Sequence, residues 1–332
     1  MLEIVSNAVD PNDPTLAAFL DPYELAKQVK LFSSAHWHWS SSQGVQIRVL
    51  KWHKGSRCTF AIEIHTESGT HELIGKVYAK ERPEVYQAMV ELQRAGFDRT
   101  AEFSIPEPLT YVTSLRLLLE EKVQGNSVKE IFLNGSHGMQ AEAAKRSARW
   151  LARFHECAPH SGEISELSKQ LAKMRCWNEK FAFLAGPIAE EADTLFKKLG
   201  AASAALGDEA RCAGHCSYSP DHVFLTDRGT VTIDWDGFDA GDPARDVARF
   251  IVATQRLALG RLRSISSLDS VTDIFLKAYV SARGPGILQR LPFHRAATCL
   301  RLAKYSAFHH RVPRWEKKVA SMLDEGLRVL AG

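Results

Sequence analysis

The sequence predicts an α+β chain with a β-rich front and a mainly helical remainder, and three observations carry that reading. Apolar stretches with strand-like alternation, bounded by turn residues, fill residues 45–123. Apolar residues at helical spacing dominate from about residue 127, and one β-hairpin signal interrupts that helical half. The chain has 332 residues, 45% of them hydrophobic. That is enough for a large core, and it excludes disorder, collagen and a small disulfide scaffold. At about 100–200 residues per domain, the length suggests two domains or one two-lobed unit.

The front begins with an acidic, then helical stretch. Asp21-Pro22 reads as an N-cap and first helical residue ahead of YELAKQV, so residues 1–39 are assigned as a helical extension. VQIRVLKW (45–52), TFAIEIHT (59–66) and ELIGKVYAK (72–80) read as three antiparallel strands, the first two joined by His53-Lys54-Gly55-Ser56. In PEVYQAMVELQRAGF, Val85, Met89 and Leu92 share one stripe, Pro83 opens the helix and Gly96 closes it. LTYV and LRLLLEEKV are two further strands, and Gly125-Asn126 ends the pattern. Residues 40–123 therefore form a lobe of antiparallel sheet plus one helix.

Residues 124–332 read as a helical lobe. SVKEIFLNG and AEAAKRSARWLARFHECA open it, and the periodicity of 165–205 is helical without clear boundaries. RAATCLRLAKYSAFHH and PRWEKKVASMLDEGLRVL close it, separated by Pro313. A cleft is expected between the two lobes.

Charge and cysteine content narrow the function. With 42 Lys+Arg against 39 Asp+Glu the net charge is +3, which is no nucleic-acid footprint. The six cysteines are scattered through a large chain, as reduced thiols in a cytoplasm are. No apolar run approaches the ~20 residues of a membrane span, and the start lacks a basic export region. A cytoplasmic protein without membrane or nucleic-acid partners is the expectation, and the sequence assigns no oligomeric state. The segment 291–332 is locally basic, with eight Lys and Arg against three acids. If it lines an acceptor site, it favours a neutral or anionic acceptor over a polycation.

The hairpin is VFLT (223–226), a turn, and VTIDW (231–235). A turn centred on Arg228-Gly229 sets Val223 opposite Asp234 and His222 opposite Trp235. Period-two alternation then places Thr232, Asp234 and Asp236 on one face. Two carboxylates roughly 6–7 Å apart, with an imidazole beside them, make a divalent-metal corner. The same spacing also suits ordinary strand-end acids facing water.

The run HCSYSPDHVFLTDRGTVTIDWDGFDAGDPARDVARF resembles the catalytic segment of the aminoglycoside phosphotransferase and choline kinase-like family. That pattern is His-x-Asp-x-x-x-x-Asn, a hairpin, Ile-Asp-Trp/Phe and Gly-Asp-Pro-x-x-Asp, and the likeness extends over about residues 40–330. The resemblance implies a protein-kinase-like bilobal fold. It also implies ATP, or another nucleoside triphosphate, with Mg2+ or Mn2+, and a small-molecule hydroxyl as acceptor. It makes Asp234 the metal-binding aspartate and Lys76 the contact to the α- and β-phosphates. Lys76 would pair with Glu84 or Glu91, with Glu84 preferred. The turn Lys54–Arg57, with Ser56, would overlie the phosphates, although a plain hairpin turn explains it equally. Backbone groups from Glu121 to Val123 would meet the adenine edge. Asp246 would brace the catalytic loop.

Two positions depart from the pattern. Ser217 stands where the catalytic aspartate is expected, next to His215, and His222 stands at the second metal-ligand position. A serine is no anionic base, and imidazole suits transition ions better than Mg2+. Asp221 is a substitute carboxylate or a loop-capping acid. The expected function is therefore a small-molecule phosphotransferase with altered or impaired chemistry, or a nucleotide-binding pseudokinase acting as a regulatory module. Elsewhere, Asp242-Pro243 reads as a helix start, His155 as a packed helix residue, and Cys212, His215 and Cys216 lack the second pair of a zinc finger.

Overall fold

Alternation in the front of the chain becomes a sheet, and helical periodicity in the rest becomes helices. The computed structural model describes residues 2–5, 44–53, 55–67, 69–160, 162–207, 211–309, 311 and 313–331. The extension around Asp21-Pro22, and the turn residue Lys54, lie outside the described residues. The chain divides into two compact units, Met1–Arg94 with Ile105–Gln124, and Ala95–Ser104 with Gly125–Gly332.

The order is β1 (Leu2–Val5), β2 (Gly44–His53), β3 (Arg57–Thr66), β4 (Gly69–Tyr78), α1 (Pro83–Leu92), β5 (Phe103–Ser104), β6 (Pro108–Val112) and β7 (Leu117–Glu121). In the first unit these form a six-stranded sheet, β1-β2-β3-β4-β7-β6, antiparallel except for the β1–β2 pair. Phe60, Ile62, Leu73, Val77, Leu117 and Leu119 fill one face. A Cβ on Gly75 would lie 2.3 Å from the Phe60 ring opposite it, so only glycine lets that buried ring cross β4. Val85, Met89 and Leu92 are the buried stripe of α1, and Gly96, at φ 93°, ends the helical run that follows it. Glycine adopts that left-handed conformation without a Cβ penalty.

The second unit continues with β8 (Asn126–Ser127), α2 (Val128–Asn134), α3 (His137–Cys157), α4 (Leu167–Ala182), α5 (Gly186–Ser203), β9 (Cys212–Gly214), β10 (Val223–Leu225), β11 (Thr230–Thr232), β12 (Asp239–Gly241), α6 (Ala244–Arg261), α7 (Asp269–Arg283), α8 (Leu291–Phe308) and α9 (Trp315–Ala331). Ser127 and Ser136 cap α2 and α3 by accepting from the backbone N–H groups of Glu130 and Met139. Short sheets β5-β11-β10-β8 and β12-β9 carry the hairpin. Beneath them lies an aromatic core in which the Trp150 ring stacks on both Phe154 and Tyr218, and Phe250 stacks on Phe275.

The hairpin corrects two expectations. Its pairs are Val223–Thr232, Phe224–Val231 and Leu225–Thr230, with Thr226 N–H bonding Gly229 O at 2.9 Å. The turn thus centres on Asp227-Arg228, two residues from the predicted register. A Cβ on Gly229 would sit 2.0 Å from the Glu102 carbonyl oxygen, so glycine is needed after the turn, where β5 approaches, and not within it. An even slip keeps each side chain on its face. The second correction is that β11 stops at Thr232. Asp234 takes a left-handed conformation (φ 69°, ψ 65°), and Trp235–Gly237 forms a short 3-10 turn. Asp236 therefore does not continue a strand face shared with Asp234.

Candidate active site

In the first unit, Lys76 is buried on the sheet face opposite the apolar cluster. Its Nζ lies 2.9 Å from Oε1 of Glu120, a buried acid on the neighbouring strand. Glu120 is thus one partner of Lys76, whereas the preferred Glu84 is exposed and pairs with Arg82. Across an antiparallel pair, Ile74 faces Glu120 and Lys76 faces Leu118, so the two charges are diagonal neighbours on one face. Ser56 lies in the β2–β3 turn, where its N–H bonds His53 O and its carbonyl accepts from Ala79. Glu121 donates its backbone N–H to Glu107 O at 2.9 Å. Val123 is half-buried just past β7.

In the second unit the segment that follows β9 is built around Asp246. Its carboxylate accepts the backbone N–H of His215 at 2.7 Å and of Cys216 at 2.8 Å, and it faces His155 Nε2 at 3.4 Å. Burial works against its charge, but the bonds from His155 and the His215 backbone hold the carboxyl below its ordinary range. Asp246 thereby braces the loop. His155, whose Nδ1 meets the Tyr279 hydroxyl at 2.7 Å, supports that brace from α3.

His215 is fully buried, with its ring edge-on to Trp235. Nε2 lies 3.0 Å from the Ile233 carbonyl, which only accepts, so Nε2 carries the proton. Burial pushes the imidazole down to about 4, against the pull of Asp246. The ring is neutral near pH 7, and Nδ1 presents a lone pair. Ser217 Oγ sits 3.1 Å from that lone pair and 3.3 Å from the Asp234 carbonyl.

His222 is fixed in the same way. Its Nδ1 donates to the Ser217 carbonyl at 2.9 Å, and burial pushes the ring below its ordinary value against the pull of Asp234. Nε2 therefore turns a lone pair toward Asp234 Oδ2, 3.3 Å away. Two facing acceptors repel unless a cation or proton joins them. Two adjacent ligands of an octahedral ion at about 2.1 Å lie about 3 Å apart, so this pair fits one divalent cation. Among the described residues no three His, Cys, Asp or Glu side chains come together as a metal-binding group. Asp236 thus does not join the pair, and Cys212, His215 and Cys216 form no zinc site.

Cys216 (φ 62°) and Asp234 (φ 69°) are both non-glycine residues in the left-handed region. Such conformations cost of order 1–3 kcal/mol and gather where function over-determines the backbone. The carboxylate of Asp221 is exposed and pairs with Lys129 at 3.0 Å.

The family model for the phosphotransferase enzyme family matches residues 61–283, about two thirds of the chain. The chain belongs to that phosphotransferase family. No curated protein matches it significantly. Among solved structures it is similar to a choline/ethanolamine kinase family protein from Mesorhizobium loti (13% identity, 93% of this chain and 95% of the other, TM-score 0.59). It is also similar to a thermostable aminoglycoside phosphotransferase mutant in ternary complex with AMP-PNP and hygromycin B (14%, 92% and 98%, TM-score 0.63). A third likeness is to an ADP-bound aminoglycoside phosphotransferase (16%, 93% and 98%, TM-score 0.56). These likenesses fix the fold: α+β and kinase-like, with a sheet-rich N-terminal region and a mostly helical remainder. Among the described residues no helix is long and apolar enough to cross a membrane.

In this family member, sequence reasoning missed Glu120, which ends an apolar run and carries no local signal. It also missed Arg245, Arg249 and Arg256, whose spacing places them on one face of α6. Arg245 pairs with Asp239 at 2.8 Å and reaches Cys216 Sγ at 3.2 Å. The Asp242-Pro243 helix start holds in its chemistry. Pro243 has helical dihedrals, and Asp242 Oδ1 accepts from Ala244 N–H at 2.8 Å. Asp242 also binds Arg290 and His294, which the sequence did not reveal.

Proposed function

We propose that this protein transfers the γ-phosphoryl group of ATP to a hydroxyl of a small molecule, using a Ser217–His215 relay in place of a carboxylate base. The observation that carries the reading is the placement of Ser217 Oγ between a neutral imidazole lone pair and the backbone of Asp234. An acceptor hydroxyl donating to Ser217 Oγ finds a serine whose one proton has two acceptors in reach, His215 Nδ1 and the Asp234 carbonyl, and passing it to Nδ1 completes the relay. His215, held at about 4, matches an ordinary aspartate in basicity. The relay then supplies the proton acceptance that an aspartate would supply, with one extra hydrogen bond in the path. Loose phosphoryl-transfer transition states ask little of the base and much of positioning and charge neutralisation. Lys76 is assigned to the nucleotide phosphates, Ser56 to the turn over them, and the backbone of Glu121 to Val123 to the base. Asp234 and His222 would hold a divalent cation, which supplies charge neutralisation to the phosphates when bound. A nitrogen ligand at His222 favours Mn2+ over Mg2+.

The second reading, a nucleotide-binding module without transfer, draws on the same serine, since Ser217 stands where the family pattern has its catalytic aspartate. A thermal-shift series with Mg-ATP and Mn-ATP, followed by ADP-release assays over hydroxyl acceptors, separates them. Phosphotransfer predicts a shift that Asp234→Ala reduces and acceptor-dependent ADP release. A shift without release under any acceptor selects the second reading, and no shift with any nucleotide refutes both.

A further inference from the structure

Arg249, Arg256 and Arg301 of the second unit have no carboxylate partner among the described residues. Arg249 lies on α6, with Nε and Nη1 buried and bonded to nothing among the described residues. Such unpaired buried donors are rare, because each costs its full desolvation. Burial, and then the charges of Arg301 and Arg256, push Arg249 down to about 9. The helix that carries Arg301, α8, packs against α6. Arg256, on the same face of α6 as Arg249, bonds Ser306 Oγ at 3.4 Å and lies over the Tyr305 ring. Arg301, on α8, donates to the Cys216 carbonyl at 3.5 Å, beside Ser217.

The nearby acids are already engaged. Asp221 pairs with Lys129, Asp239 with Arg245, and Asp246 with His155 and two backbone N–H groups. None of Arg249, Arg256 and Arg301 forms an ion pair among the described residues. A folded chain does not gather three unpaired arginines around buried donors for stability; a bound anion removes the cost.

We propose that Arg249, Arg256 and Arg301 form an oxyanion subsite beside Ser217, so that the acceptor is a hydroxyl compound already carrying a phosphate or carboxylate. This rests on the phosphotransferase reading for the word acceptor, while the anion site itself stands on the arginines. It also sharpens the expectation from the basic 291–332 segment, since Arg301 brings that segment to the catalytic loop.

The test is calorimetric titration of the nucleotide-free protein with inorganic phosphate, glycerol 3-phosphate, glycerate and glycerol. Saturable binding of the phosphates, of glycerate, or of both identifies the oxyanion chemistry, with glycerol silent. Arg249→Met and the exposed Arg301→Gln should each weaken that binding roughly tenfold or more, the loss of one charge-assisted bond. The paired Lys76→Met, Glu120→Leu variant, which removes both buried charges together, should leave it unchanged, which separates this subsite from the nucleotide phosphates. If all three anions fail to bind, or if both arginine variants bind as the wild type does, the subsite is overturned. A retained Asp234-dependent Mg-ATP shift in that case leaves the phosphotransferase reading standing.

Discussion

Ser217 Oγ lies 3.1 Å from Nδ1 of His215, and the opposite nitrogen of that ring is held by the Ile233 carbonyl. The serine that replaces an expected aspartate is thus coupled to a buried neutral base. Removing the hydroxyl in Ser217→Ala should lower turnover by about 10²-fold, the lower end of what a base contributes. Nucleotide affinity should stay unchanged. His215→Gln, which keeps a donor for Ile233 but has no basic nitrogen, should lose a similar factor. Ser217→Asp should equal or exceed the wild type. Steady-state kinetics with separate nucleotide-binding measurements checks this, and full activity in both Ser217→Ala and His215→Gln would remove the relay.

Acid should destabilise the fold in two windows. His215 is depressed to about 4 against 6.5 when unfolded. Between those values the unfolded chain binds the extra proton. Stability is therefore full above about pH 6.5 and falls by about 3 kcal/mol as pH drops to about 4. Asp242 follows lower down. Its burial opposes ionisation, but the bond and charge of His294 and the bond from Arg290 hold it at about 2 against 3.8. Its contribution, about 2 kcal/mol, is present above pH 3.8 and lost toward pH 2. Denaturant titrations from pH 8 to 4 should show the first slope, and His215→Phe should flatten it. An unchanged slope in that variant contradicts the assignment.

How far the site was legible follows from where its chemistry resides. Asp234, His222 and Ser217, which the structure brings together, were readable as a group because they sit at fixed spacing in one 36-residue run. Asp236 was misplaced because alternation assumes that a strand continues, and the left-handed backbone at Asp234 ends it. Nothing in residue type announces that turn. Glu120 was missed because its partner arrives by strand pairing and Lys76 lies 44 positions earlier. The arginine face of α6 was readable as a periodicity. Its convergence with Arg301 was not, because it depends on α8 packing against α6. The strands and helices themselves were legible wherever one face is apolar.

The Lys76–Glu120 pair makes a stability prediction that must precede any nucleotide work on it. Both side chains are about 95% buried, so removing Lys76 leaves the buried Glu120 carboxylate without its ammonium. Lys76→Ala should cost about 3–5 kcal/mol, as broken buried pairs do. Lys76→Met with Glu120→Leu should recover most of it, since apolar replacement of both members is near neutral. Urea denaturation of the single and double variants measures the difference. A single variant as stable as the wild type would show that the pair carries no structural charge balance.

His222 sets the last expectation, through its choice of cation. With Nδ1 bound to the Ser217 carbonyl and Nε2 aimed at Asp234 Oδ2, the pair offers one nitrogen and one carboxylate oxygen. Mg2+ prefers oxygen and dehydrates reluctantly, whereas Mn2+ accepts imidazole. The thermal shift with ATP should therefore be larger in Mn2+ than in Mg2+ at equal concentration. His222→Asn restores an oxygen donor and should bring the two ions level or reverse them. Electron paramagnetic resonance of Mn2+ titrated into the ATP-bound protein gives the second readout, with weaker binding expected in the asparagine variant. Equal Mn2+ affinity in wild type and His222→Asn would exclude His222 as a ligand, and the 3.3 Å contact would then be a protonated His222–Asp234 ion pair.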